Sequence, residues 1–179
     1  SPQKTSLLFL QTYNHMELNP LQYPIGKFAA PEIITPKIRE NWIKTIEEFP
    51  DLLAIAASKH SETTLKKAYR PGSWTARQVI HHMFDSHMNC YIRFKKALNE
   101  ENPTIMPYSE NDWAHMPDGD EAPIEWSISG VKSVHQRWVY LMNTLQETDW
   151  TKTYFHPERD IIYPKITISE CQLTEFGVV

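Results

Sequence analysis

The chain has 179 residues, with 18 Lys+Arg against 22 Asp+Glu for a net charge of −4, and a mean hydropathy of −0.50. Hydrophobic residues at 41% and aromatics at 12% are enough for one buried core, which argues against disorder. Leu7-Leu8-Phe9-Leu10 falls far short of the ~20 apolar residues a membrane span needs, so a cytoplasmic protein with no membrane partner is expected.

No Lys/Arg block could track a phosphate backbone, because Lys66, Lys67 and Arg70 make only a small solvated cluster. Nucleic acid is therefore not an expected partner. The two cysteines, Cys90 and Cys171, are too few for a disulfide framework and read as reduced thiols.

The prolines punctuate the chain. Thr35-Pro36 supplies a capping hydroxyl and a first-turn proline, and Ile38, Trp42, Ile46 and Phe49 follow at helical spacing. Pro50 should kink this first helix, after which Leu52, Leu53, Ile55 and Ala56 resume the apolar face until the polar stretch from Ser58 to Thr64. A second helix opens at the capping box Thr75-Ala76-Arg77-Gln78 and should reach about Leu98, with Val79, Ile80, Met83, Phe84, Tyr91, Phe94 and Leu98 recurring at three and four. Residues 103–123 carry Pro107, Pro117 and Gly119 and read as a long irregular connection bearing Tyr108 and Trp113, of the kind that serves as a lid. A third helix is predicted from Ile124 to Gln146, on the face Ile128, Val131, Val134, Trp138, Leu141 and Leu145. Gly130 should cost that helix ~1 kcal/mol relative to alanine.

The chemistry-bearing residues concentrate on the second helix. At 100° per residue, His82, Ser86, Asn89 and Arg93 share one polar stripe, His81 and Asp85 lie one turn apart on another, and His87 sits among apolar residues. Such a stripe is as readily plain surface as a site, and spacing cannot choose between His81 and His82. A catalytic zinc-type centre wants three protein ligands and an open position, and its usual helical signature, His-x-x-x-His, is absent. His81 with Asp85 has i,i+4 spacing but fits a hydrogen-bonded pair better than a metal grip. His135 reads as a satisfied core or supporting histidine, and His156, before Pro157, as a loop residue. No Gly-x-Ser-x-Gly elbow and no activated cysteine context suggests covalent catalysis.

Several motifs in order then resemble a known family: Tyr23-Pro24-Ile25-Gly26-Lys27-Phe28, Tyr69-Arg70-Pro71-Gly72-Ser73-Trp74-Thr75 running to His81-His82, Asp85-Ser86-His87-Met88-Asn89 running to Lys95, Pro107-Tyr108, His135-Gln136-Arg137-Trp138, and Phe155-His156-Pro157. Over residues 23–157 the chain resembles the DinB/YfiT-like superfamily, specifically its YfiT-type metal-dependent hydrolases. The resemblance implies an all-α four-helix bundle, usually a homodimer, holding zinc or nickel on three histidines: one from the second helix, at the position of His82, and a His-x-x-x-His pair from the fourth. It also implies a small-molecule substrate. Metal-bound water would be the nucleophile of a hydrolase, and a bound low-molecular-weight thiol such as bacillithiol that of the S-transferases related to it, because a cation lowers the pKa of what it binds. Asp85, Asn89 and Arg93 are then candidates for orienting ligand or substrate.

The sequence departs from that pattern after Pro157. Residues 158–179 contain no histidine, and Ile161 to Ser169 is rich in β-branched residues. The reading is a helical domain at 23–157, an extension at 1–22 that is not native before Met16, and an atypical tail at 158–179 in place of the fourth helix, arising from a frameshift or a misplaced gene boundary. A non-catalytic helical interaction module, or an inactive fragment, is the contrasting expectation.

Overall fold

The computed structural model describes residues 31–158 and 161–163. The extension, the Tyr23–Phe28 motif, Cys171 and the tail beyond residue 163 lie outside the described residues. Three long helices dominate: α1 (Pro36–Ala57), α3 (Ala76–Asn99) and α6 (Ile124–Met142). The short helices α2 (Glu62–Leu65), α4 (Glu110–Ala114) and α5 (Pro117–Asp120) lie between them, and a 3-10 turn, Asp149–Thr151, leads to strands β1 (Tyr154–His156) and β2 (Ile161–Tyr163).

Local chemistry sets the helix starts. Thr35 Oγ1 accepts from the Ile38 amide, with Pro36 in the first turn of α1. In α3 the capping box closes in both directions: the Gln78 amide donates to Thr75 Oγ1 at 3.2 Å, and the Thr75 amide to Gln78 Oε1 at 2.8 Å. The third predicted helix ends at Met142, four residues early, where Asn143 caps it.

The connection at 103–123 is more ordered than its prolines suggest. Ser109 caps α4 by accepting from the Asp112 amide, and Pro117 opens α5. Ser61 likewise starts α2 inside the polar stretch expected to be irregular. These helices are too short to stand alone and depend on packing against α3.

Helix α6 packs on both α1 and α3. It runs antiparallel to α1, since the ion pairs Arg39–Glu147 and Lys132–Asp51 join opposite ends. One apolar cluster contains Ile46, Phe94, Ile105, Trp138, Met142 and Trp150; another contains Leu53, Leu65, Ile80, Ile124 and Val131. Between them lies a polar layer, His87 from α3 and His135 from α6, with the Phe49 ring of α1 packed against both imidazoles. Beyond Pro50, Leu53 and Ala57 turn inward, whereas Leu52 and Ile55 stay exposed, so the resumed apolar face of α1 is narrower than expected. Gly130 has a positive reason to be glycine: a Cβ there would stand 2.5 Å from the Phe84 ring.

The strands form an antiparallel hairpin, Tyr154 opposite Tyr163 and His156 opposite Ile161. His156 is thus a buried strand residue and not the loop residue expected. The hairpin is tied to the helical part by Ile105, whose amide donates to the Phe155 carbonyl, and by the Phe155 amide, which donates to the Pro103 carbonyl. Pro157 and Glu158 stand in the turn that follows β1.

Candidate functional site

The polar stripe of α3 faces inward. His82, Ser86 and Asn89 are buried and Arg93 is half-buried, so the alternative of a solvent-facing stripe is overturned. The reason is the connection between α3 and α6, which folds back over this side as α4 and α5.

The two adjacent histidines differ completely in their surroundings. His81 is closed. Its Nε2 lies 3.0 Å from the Ala122 carbonyl and its Nδ1 2.7 Å from Ser127 Oγ. A carbonyl can only accept, so Nε2 carries the proton and Nδ1 accepts from the serine hydroxyl. Arg77, buried and ion-paired to Glu62, donates to the same carbonyl. Both nitrogens of His81 are thus committed to holding the start of α6 against α3.

His82, one residue on, has no hydrogen bond to either ring nitrogen among the described residues. Its ring packs edge-on against Trp74 at 4.8 Å between centroids, and Trp74 is fixed in turn by its indole N–H on Asn111 Oδ1 of α4 at 3.2 Å. Burial pushes the His82 pKa from 6.5 down to about 4, so at neutral pH it is an uncharged imidazole, the form that binds metals.

Asp85 sits one turn further along. Burial, reinforced by the negative charge of Asp118 on α5, pushes its pKa from 3.8 up to about 6. The i,i+4 partnership of His81 with Asp85 that the spacing allowed is not formed: the imidazole is spent on Ser127 and Ala122. Asn89 uses its amide to donate to the Asp85 backbone carbonyl at 2.8 Å. Arg93 places its guanidinium 5.9 Å from the Tyr108 ring and donates from Nη2 to the Met106 carbonyl at 3.3 Å, while its buried Nε has no hydrogen-bond partner among the described residues. Tyr108 and Trp113, 4.5 Å apart, extend this wall.

His135 is not part of this wall. It stands in the polar layer between α1 and α6, bonded to Ile46 and His87. Sequence reasoning gave little weight to His87, whose only signal was a histidine among apolar neighbours. No group of three or more His, Cys, Asp or Glu among the described residues is arranged to hold a metal ion. No helix among them is long and apolar enough to cross a membrane.

A family model, the DinB superfamily, matches residues 45–174. The chain belongs to the DinB superfamily. A Bacillus cereus protein named "Putative metal-dependent hydrolase" is 47% identical over 141 residues, spanning 79% of this chain and 81% of that relative. A Bacillus mycoides protein of the same description is 48% identical over 138 residues, 77% of this chain and 79% of its own. Among solved structures, YfiT from Bacillus subtilis, described as "a probable metal-dependent hydrolase with an unusual four-helix bundle topology", superposes with a TM-score of 0.83 at 34% identity, covering 89% of this chain and 94% of that one. The superfamily member thus has the helical-bundle architecture its motifs implied, with a small hairpin added.

Proposed function

We propose that this chain is a metal-dependent hydrolase of small molecules in which α3 supplies one cation ligand, His82, and the inward stripe below it receives the substrate. The observation that carries the reading is the contrast at positions 81 and 82: a buried, neutral imidazole with no hydrogen bond beside one that has two. A neutral imidazole held mostly out of water, with no protein hydrogen bond on either nitrogen among the described residues, keeps a lone pair open to a ligand.

The described residues fit one coordination position and not a three-histidine centre. A cation at His82 needs further ligands from outside them, and residues 158–179 offer no histidine. What the residues in place can do is narrower. His82 offers a lone pair. Asp85, titrating at about 6, can hold or release a proton near neutral pH, which is what a general acid or base requires. Arg93 has an Nε donor suited to an oxygen of the substrate.

Elemental analysis of the purified chain tests the reading. Stoichiometric zinc or nickel, lost in His82→Ala and retained in His81→Ala, is the expected result, and it also decides between the two metals. A metal-free, well-folded protein overturns it and leaves the helical interaction module, and metal retained in His82→Ala overturns the role given to His82. With the metallated protein, consumption of a low-molecular-weight thiol with an electrophile would move the activity from hydrolysis to S-transfer, and sizing chromatography reads the expected homodimer.

A further inference from the structure

The layer between the two apolar clusters contains a chain of hydrogen bonds that begins with a proline. Residue 50 lies inside α1, where an ordinary residue would donate its amide to the carbonyl four residues back. Proline has no amide hydrogen, so the Ile46 carbonyl lacks its helical donor. His135 takes that place, with Nδ1 2.6 Å from the Ile46 oxygen. An oxygen that only accepts requires a proton on His135 Nδ1.

The rest follows from valence. A neutral His135 with its proton on Nδ1 has a lone pair on Nε2, and that nitrogen lies 2.6 Å from Nδ1 of His87. The two rings are 15° from coplanar with centroids 4.8 Å apart, close to the separation of two imidazoles joined nitrogen to nitrogen in one plane. His87 Nδ1 therefore carries the proton and donates it to His135. Both rings are buried, and burial lowers the pKa of each, that of His87 further lowered by His135 and His82, so the uncharged forms prevail. A neutral His87 protonated on Nδ1 has its electron pair on Nε2, whatever group meets it there.

We propose that Pro50 and His135 are positioning residues, which hold His87 in the Nδ1–H form and so make its Nε2 an electron-pair donor. The arrangement is the one in which a working histidine has its second nitrogen anchored by a hydrogen bond that fixes tautomer and ring orientation. It stands on the geometry of the pair and does not depend on His82 binding a metal.

The test is spectroscopic and uses metal-free, 15N-labelled full-length chain. Two-bond 1H–15N spectra at pH 8 are expected to show His87 and His135 each in a single form, protonated at Nδ1 and bare at Nε2. Pro50→Ala returns an amide donor to the Ile46 carbonyl, and the single-form pattern of both rings should be lost. His135→Phe keeps an aromatic ring but removes the acceptor, and His87 alone should lose its single form; cooperative thermal unfolding confirms that each variant is folded. A wild-type His87 protonated at Nε2, or doubly protonated, overturns the proposal. An unchanged His87 in either variant overturns the role given to the residue replaced.

Discussion

Two sides of α3 treat buried polarity in opposite ways. Toward α6, His81, Ser127, Arg77 and the Ala122 carbonyl form a network in which both nitrogens of the imidazole have a partner. Toward Trp74 and α5, His82 and Asp85 are withdrawn from water, and burial is the leading cause of the pKa shift in each. The first side is architecture, since its polar atoms tie elements together. The second leaves its polar atoms without such ties, and the difference shows that burial alone does not tell the two histidines apart. The state of their ring nitrogens does.

Breaking the closed side should have the largest effect. His81→Ala leaves the Ser127 hydroxyl buried without its acceptor and opens a cavity beneath the start of α6, at a cost of roughly 2–4 kcal/mol. For a chain of this size that is a fall in Tm of about 4–16 °C, readable by thermal or urea unfolding. If His81→Ala is as stable as the parent, the contrast between the two sides is lost.

His82→Leu sharpens the same contrast through acid. The folded pKa of His82 is about 4 against an ordinary 6.5, so between those values the unfolded chain binds more protons than the folded one. Stability contributed by the neutral ring is present above pH 6.5 and lost as pH falls through 4, by up to roughly 3 kcal/mol. The leucine variant should stay within about 1 kcal/mol of the parent at pH 8 and show a shallower loss between pH 6.5 and 4. His81, His87 and His135 are shifted in the same direction, so the acid limb is reduced and not abolished. Parallel acid limbs in the two proteins would mean that His82 is protonated in the folded state as easily as in the unfolded one.

Much of the frame was legible because it is written locally. The Thr75–Gln78 box and the Thr35-Pro36 start need only neighbouring residues, and both helices begin where those signals stand. Helices α2 and α4 carry caps at Ser61 and Ser109 and α5 opens on Pro117, but four or five residues give no periodicity to read. The site was legible only as a stripe. Which of two consecutive histidines is satisfied depends on Ser127 and Ala122, more than forty positions away in sequence. Pro50 announced a disturbance of α1, yet its consequence depends on His135, 89 positions from the Ile46 carbonyl it bonds. Helical spacing places side chains around one axis and does not report the partners that other helices bring to them.

The smallest expected effect is at Asp85, and its sign is the opposite of that at His82. A carboxyl raised from 3.8 to about 6 binds more protons in the folded chain than in the unfolded one between those values. Its contribution is therefore complete below pH 3.8 and lost as pH rises through 6, where the carboxylate must ionise in a half-buried place facing Asp118. Asp85→Asn removes that penalty. Partial access to water screens the charge, so the gain at pH 8 is on the order of 1 kcal/mol, a rise in Tm of about 2–4 °C, and it should vanish in a comparison made near pH 4. A gain that persists at pH 4 would assign the effect to packing, and no gain at pH 8 would mean that the Asp85 carboxylate is already stabilised by a partner. In either outcome the open side would contain one unmet group, His82, and the proton-transfer role proposed for Asp85 would fail with it.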